Sequence, residues 1–159
     1  MRPKAVYRSR VTVSAGMSDA PPVELVRASA LFEGQPYADA AVVPDRGLLV
    51  FTAGACPIDH AGDTCDVGSV TGQAERSMDN LVEALAAAGA GLHDVVKTTV
   101  YVASGERSEL VDAWNVVRRR FGGHDPPATL LGVRVLGYAE QLVEIEAIAA
   151  LAVPLVGNE

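Results

Sequence analysis

The sequence predicts an α+β domain, one sheet covered on one face by two helices, and three observations carry that fold class. The last apolar run, Gln141–Val153 (QLVEIEAIAALAV), reads as a strand with two unlike faces. Thr71–Ala88 and Ser108–Phe121 repeat apolar residues at helical spacing. Strand-like and helix-like runs follow one another as β-β-β-α-β-α-β-β, without an internal repeat. Side chains alternate sides along a strand. In the last run Val143, Ile145, Ala147, Ala149 and Leu151 therefore share an apolar face that asks for helices. Leu142, Glu144, Glu146, Ile148 and Ala150 share the other face, with the two carboxylates about 7 Å apart at strand rise. A solvated face has no need of Ile148, and a buried one does not tolerate two acids. This face reads as partly covered by another chain, with the carboxylates at the margin of a cleft. Two helices cover one side of one sheet and not both, so the pattern predicts an oligomer.

Residues 1–24 end in Asp19-Ala20-Pro21-Pro22 and have no period; they are expected to form a flexible extension. Leu25–Phe32 reads as a weak first strand, closed by the turn signal Gly34-Gln35-Pro36. Ala40–Val43 and Leu48–Thr52, joined by Pro44-Asp45-Arg46-Gly47, read as a hairpin. Cys56–Asp66 is a loop by composition. The first helix carries Ala74, Met78, Leu81, Leu85 and Ala88 on its stripe and stops at Gly89. Val95–Ala103 follows as a strand, with Lys97, Thr99 and Tyr101 on one face and Val96, Thr98, Val100 and Val102 on the other. The second helix buries Leu110, Trp114, Val117 and Phe121, and Trp114 reads as a core anchor. Gly122-Gly123-His124-Asp125-Pro126-Pro127 breaks it. Ala128–Val135 and Gln141–Val153, joined around Gly137-Tyr138, are the last strands. The domain is expected to span residues 25–153, with 154–159 as a tail.

At 159 residues the chain suits one domain with a sizeable core. Hydrophobic residues at 49% and charged ones at 21% indicate a globular protein. A net charge of −7 repels phosphate backbones, which argues against nucleic acid as a partner. The basic cluster Arg118-Arg119-Arg120 reads as the solvated end of a helix, where cations suit the dipole. No apolar run has the length of a membrane span. The basic N-terminus (Arg2, Lys4, Arg8, Arg10) lacks the apolar segment of a secretory signal, and Met17 is a candidate alternative start. A cytoplasmic location is expected. Cys56 and Cys65 are the only cysteines, so no disulfide framework is indicated. With His60, Asp59 and Asp63 they could be imagined as a metal site, but the spacing matches none of the common zinc patterns and reads as a surface turn. His60, His93 and His124 all lie in or next to turns.

A set of motifs then becomes recognisable: Pro36-Tyr37, Leu48–Gly54 (LLVFTAG), Gln73 with Asn80-Leu81, Leu92–Val102 (LHDVVKTTVYV), Pro127-Ala128 and Val143–Ala149 (VEIEAIA). Over about residues 25–152 the chain closely resembles the Rid family, also called YjgF or reactive intermediate deaminases and often labelled L-PSP endoribonucleases. The resemblance implies a chorismate-mutase-like fold with a mixed sheet, a homotrimer, and clefts between subunits. It also implies hydrolysis of 2-imino or 2-enamino acids to a keto acid and ammonia without metal or cofactor. In the family an arginine after the Pro-Ala motif grips the substrate carboxylate, the first glutamate of the last strand positions water, and a tyrosine after the early proline lines the cleft.

Carried over residue by residue, Tyr37 and Glu144 match that pattern, while position 129 is threonine. A guanidinium offers a bidentate fork and a permanent charge; Thr129 offers a hydroxyl. A charge-assisted hydrogen bond is worth roughly 1.5–3 kcal/mol. Arg134 falls on the opposite strand face from Thr129 and is a poor substitute. Leu131 stands where the family often has a cysteine, and Ala53-Gly54-Ala55 where it often has Ser-Gly-Gln. Tyr138, in the last loop, is a candidate cap of the cleft. Glu146 shares Glu144's face and could be the structural member of the pair. The expected function is a divergent imine or enamine hydrolase (deaminase), with Glu144 catalytic and Tyr37, Thr129, Leu131 and Tyr138 contacting a small-molecule substrate. Altered substrate preference follows from Thr129. The alternatives are a non-catalytic metabolite-binding or protein-interaction trimer, and the endoribonuclease of the older label, which the negative charge disfavours.

Overall fold

The computed structural model describes residues 23–27, 36–43 and 47–152. Of the expected extension at 1–24, residues 1–22 lie outside the described residues, while Val23 is buried and Glu24 opens a strand; residues 28–32 of the first strand, the turn residues 44–46 and the tail at 154–159 also lie outside them. The elements are β1 (Glu24–Val26), β2 (Ala40–Val42), β3 (Leu48–Phe51), α1 (Val70–Ala87), β4 (Val95–Val102), α2 (Arg107–Phe121), β5 (Ala128–Gly132) and β6 (Val143–Leu151). The predicted order is observed.

Ser69 starts α1: its hydroxyl accepts from the Gly72 N–H at 3.1 Å, satisfying one of the first-turn donors that the helix itself leaves free. Gly89, at φ +81°, follows its end in the left-handed conformation that glycine adopts without a Cβ clash. Of the predicted stripe, Ala74, Met78, Leu81 and Leu85 are fully buried, while Ala88, just past the end of the helix, is exposed; Gln73 and Ser77 are buried beside the four. In α2 the buried centre is Ala113, Val116, Val117 and Phe121, with Leu110 and Trp114 half-buried at its flanks. Trp114 packs against the core from its edge rather than at the centre that the sequence assigned it, and Ala113 is buried in full. Arg119 and Arg120 at the C-terminal end of α2 pair with Glu75 of α1, and Arg120 also bonds Asp79 at 2.7 Å. The basic cluster thus ties one helix to the other.

The main sheet has the order β3-β6-β4-β5; β4 and β5 are parallel and the other pairs antiparallel. Both helices lie on one side, over Val143, Ile145, Ala147 and Ala149 of β6 and Thr98, Val100 and Val102 of β4. A bulge between Val95 and Lys97 shifts the alternation at the start of β4, so Val95 enters the core in place of the expected Val96.

The predicted hairpin of residues 40–43 with 48–52 is not formed. β2 pairs antiparallel with β1, from Glu24↔Val42 to Val26↔Ala40, while β3 pairs with β6 from Leu48↔Leu151 to Phe51↔Ile148. The cause is docking of the β1–β2 ribbon at the other end of the sheet. The Ala38 N–H donates to the Asp125 carbonyl at 2.9 Å, Arg27 meets the Asp125 carboxylate at 3.1 Å, and the Tyr37 ring stands edge-on to Trp114. Asp125 leads into β5, whereas β3 occupies the opposite edge.

The second face of the sheet carries Leu49 and Phe51 of β3, Glu144, Glu146 and Ile148 of β6, Lys97, Thr99 and Tyr101 of β4, and Thr129 and Leu131 of β5. No described helix covers it, and Phe51 is 68% and Leu49 52% exposed. Among the described residues no helix is long and apolar enough to cross a membrane.

Candidate functional site

The site begins where β3 stops being regular. Thr52 continues the pairing, its N–H donating to the Ala147 carbonyl at 3.0 Å and its hydroxyl accepting from the Ala147 N–H at 2.9 Å. Ala55 next pairs with Ile145 through two bonds of 2.7 and 3.1 Å. Three steps along this strand thus match two along β6, a bulge of one residue that re-aims Gly54. Gly54 lies under the side chain of Glu144: a Cβ there would stand 1.8 Å from Glu144 Oε1, so the carboxylate occupies space that only glycine leaves open.

Glu144 Oε2 receives two donors. Gln141 Nε2 reaches it at 3.0 Å and the Cys56 thiol at 3.5 Å. Gln141 is buried; it also donates to the Val143 carbonyl at 3.1 Å and accepts the Tyr138 N–H at 2.9 Å. Burial pushes the Cys56 thiol up to about 11, with the charge of Glu144 and the hydrogen bond to it acting in the same direction and the Gln141 contact opposing them. The thiol is therefore protonated at neutral pH and acts as a donor, not as a nucleophile.

Helix α1 holds both walls of this cluster. Asn80 Nδ2 donates to the Cys56 carbonyl at 2.7 Å and the Ile58 carbonyl at 2.9 Å. Seven residues earlier, and so two turns along the same helix face, Gln73 donates to the Glu140 carbonyl at 2.8 Å and accepts the Leu142 N–H at 2.6 Å. That second grip fixes the loop before β6, in which Glu140 has φ +57°. Thr64 adds a hydroxyl bond to the Ala139 carbonyl at 2.8 Å.

Elsewhere on the open face Tyr101 donates to Glu146 Oε1 at 2.8 Å, and Lys97 Nζ donates to Thr129 Oγ1 at 2.5 Å. The bond to Glu146 and burial both raise the Tyr101 phenol. Burial lowers the Lys97 ammonium, and no carboxylate lies within ion-pair distance of it among the described residues. An open cavity of about 200 Å³ is lined by Phe51, Thr52, Lys97, Thr99, Glu146 and Ile148, with Ala147 behind.

Glu144, Thr129 and Leu131 thus share one sheet face, as their positions in the sequence implied. Tyr37 does not join them within the chain. It stands 6.2 Å from the Trp114 ring, centroid to centroid, and lines a cavity of about 280 Å³ with Ala128 and Leu130 on the helix side. Tyr138 has an exposed ring, and its backbone holds Gln141. Arg134 lies beyond the end of β5 and is exposed. In the 56–66 loop, the Asp59 carboxylate is held below its usual range by the N–H groups of Asp63 and Ala61 at 3.0 and 2.8 Å. Cys65 faces the Asp63 carbonyl. Sequence reasoning missed Cys56 and Gln141 beside Glu144, and Lys97 beside Thr129. The Lys97 signal was present: it has the same strand parity as Thr99, whose cross-strand neighbour is Thr129.

Fold and site together define a two-helix α+β domain with an open sheet face and a carboxylate locked into that face's margin. Residues 28–151 match the family model described as Endoribonuclease L-PSP, and the chain belongs to that family. Its architecture is that of the Rid proteins: a solved structure of the conserved Rid-family protein YyfB from Yersinia pestis superposes with a TM-score of 0.76 at 26% identity, covering 82% of this chain and 99% of that one. Protein DfrA of Myxococcus xanthus is 35% identical over 114 residues, 72% of this chain and 84% of its own. The 2-iminobutanoate/2-iminopropanoate deaminase of Mus musculus is 32% identical over 114 residues, 72% of this chain and 80% of its own.

Proposed function

We propose that this protein is a metal-independent imine or enamine hydrolase that works in clefts between the subunits of a homotrimer. The observation that carries the reading is the state of Glu144: one carboxylate oxygen holds two protein donors, and no protein donor reaches the other among the described residues. A half-buried, immobilised carboxylate with a free oxygen suits general-base work on water. Water adds to the imine carbon as Glu144 takes its proton. That proton is passed to nitrogen to give a carbinolamine; the hydroxyl proton then follows to the nitrogen as the C–N bond breaks, and ammonia leaves a carbonyl product. The exposed apolar residues Leu49, Phe51 and Leu131 support burial of the open face against other copies of the chain. Tyr37, Thr129, Leu131 and Tyr138 are the substrate contacts in this reading, Tyr37 meeting the Glu144 of a neighbouring copy.

Thr129 does not leave the site without a cation, because Lys97 donates to it. An ammonium is a point charge without the guanidinium fork, so it attracts a carboxylate with less directional demand. This supports a substrate preference shifted from that of an arginine-bearing site. The mouse relative's name, an iminobutanoate and iminopropanoate deaminase, supports the reaction class.

The test is ammonia release from freshly generated 2-imino acids by wild type, Glu144→Ala, Thr129→Arg and Lys97→Met. Turnover in wild type, lost in Glu144→Ala and weakened through KM in Lys97→Met, is expected. Turnover unchanged by Glu144→Ala refutes the reading. Inactivity of wild type with a gain in Thr129→Arg places the natural substrate among neutral imines.

A further inference from the structure

The Cys56 thiol and the Gln141 amide have no place in the reaction just described, yet both converge on one atom of it. Gln141 Nε2 lies 3.0 Å and Cys56 Sγ 3.5 Å from Glu144 Oε2. Oε1 has no protein donor among the described residues and is aimed at the empty side of Gly54. The arrangement is asymmetric, and its supports are specific. The Cys56 carbonyl is fixed by Asn80, and the Gln141 oxygen by the Tyr138 N–H. Neither donor can rotate toward Oε1 without breaking a second bond: Gln141 would release the Val143 carbonyl, and the thiol would leave the space beside the Gly54 carbonyl, 3.6 Å from Sγ.

We infer that Cys56 and Gln141 are positioning residues, which anchor Glu144 through Oε2 and so reserve Oε1 as the atom that holds and deprotonates water. The inference rests on the hydrolase reading of Glu144. A carboxylate with both oxygens free rotates about its last torsion and offers water two competing sites. Anchoring one oxygen removes that freedom, and misplacement of a reacting group by about 1 Å costs up to roughly 100-fold in rate. The thiol suits this task. An ammonium at the same place would hold the carboxylate more tightly and lower its basicity, whereas a neutral donor anchors it without adding a charge. Burial is the main cause that keeps the thiol protonated, and the charged group acting beside it is the Glu144 carboxylate, so its state responds to Glu144.

Two measurements test the inference separately from the reaction class. The first is the rate of Cys56 alkylation by iodoacetamide against pH, with Cys65→Ser as background. Glu144→Gln leaves burial, the main cause, in place but removes the charge and the charged acceptor beside the thiol, so alkylation at pH 8 is expected to rise severalfold. An unchanged rate overturns the contact, whatever the enzyme does. The second is steady-state ammonia release. Cys56→Ala and Gln141→Leu are expected to lower kcat about three- to tenfold and tenfold or more, with KM within twofold, and Cys56→Ser to recover most of the loss because its hydroxyl can donate. A thiol that merely packs is not rescued by serine. Wild-type kcat in Cys56→Ala, or a failure of serine to rescue, overturns the positioning role. A wild type without turnover, together with the expected alkylation contrast, sinks the hydrolase reading and the catalytic half of this inference while the anchored carboxylate stands.

Discussion

Gly54→Ala is the sharpest single perturbation of the site. The new Cβ would sit 1.8 Å from Glu144 Oε1, 2.5 Å from Cδ and 2.8 Å from Cγ. Ordinary contact needs about 3.4 Å or more, so the whole carboxylate must move by roughly 1.5 Å rather than turn. Oε2 then leaves Gln141 and Cys56 behind. Hydrogen bonds to charged groups contribute roughly 1.5–3 kcal/mol each, with the lower end fitting a thiol donor and a half-buried acid. The expected destabilisation is about 2–4 kcal/mol, or roughly 5–15 °C in Tm for a domain of this size. A double-mutant cycle isolates the cause: in Glu144→Gly the three atoms nearest the added methyl are gone, so Gly54→Ala in that background should cost less than about 1 kcal/mol. Thermal unfolding followed by circular dichroism gives both numbers, and Cys56 alkylation confirms release of the carboxylate. Equal cost of Gly54→Ala with and without the Glu144 side chain would refute the reasoning, since the penalty would then lie in the backbone of the bulge.

Three further outcomes follow from the fold. Val95→Ala should lower stability by about 1–3 kcal/mol in denaturant unfolding, and Val96→Ala by clearly less, because the bulge places Val95 and not Val96 in the core; equal costs would remove the bulge. Gln73→Leu leaves the Leu142 N–H and the Glu140 carbonyl without their partner. It should cost about 2–4 kcal/mol and depress turnover through the displaced loop; wild-type melting would show the two bonds to be dispensable. In the trimer proposed above, Phe51→Asp on the open face should give monomers, read by light scattering, and abolish the proposed turnover with it. An unchanged mass would place the interface elsewhere.

Much of this fold was legible because long periodic runs meet tertiary demands that leave them unchanged. The parity of β6 gave its helix face and its open face correctly, and the stripe of α1 is buried from Ala74 to Leu85, failing only at Ala88 where the helix ends. The failures are places where the period breaks or where partners are far apart in the chain. The bulge at Val95/Lys97 reverses which valine is buried, and nothing in a run of Val95-Val96 marks it. The hairpin was read from chain proximity, whereas the β1–β2 ribbon is drawn away by Asp125 and Trp114, more than 70 residues on. The site was half legible. Glu144, Thr129 and Leu131 share a face that strand parity fixes. The partners of Glu144 were not readable: Cys56 lies in a loop 88 positions earlier, and Gln141 sits just before the strand, where alternation has not begun. Gln73 and Asn80 belonged to a recognised motif without a role, and two amides seven apart on an otherwise apolar helix face were the available clue.

Those two amides have a consequence for how the protein breathes. Gln73 and Asn80 clasp the segments on either side of the carboxylate, and both project from a single helix that also carries Met78, Leu81 and Leu85 into the core. The walls of the site therefore share the helix's free energy of opening instead of fraying as independent loops. In hydrogen exchange, the Leu142 amide should exchange in step with the interior of α1, and with the same denaturant dependence, as one cooperative unit. The geometry around the carboxylate is then as persistent as the fold itself, and in the proposed trimer the motion that admits a substrate comes from the subunit boundary.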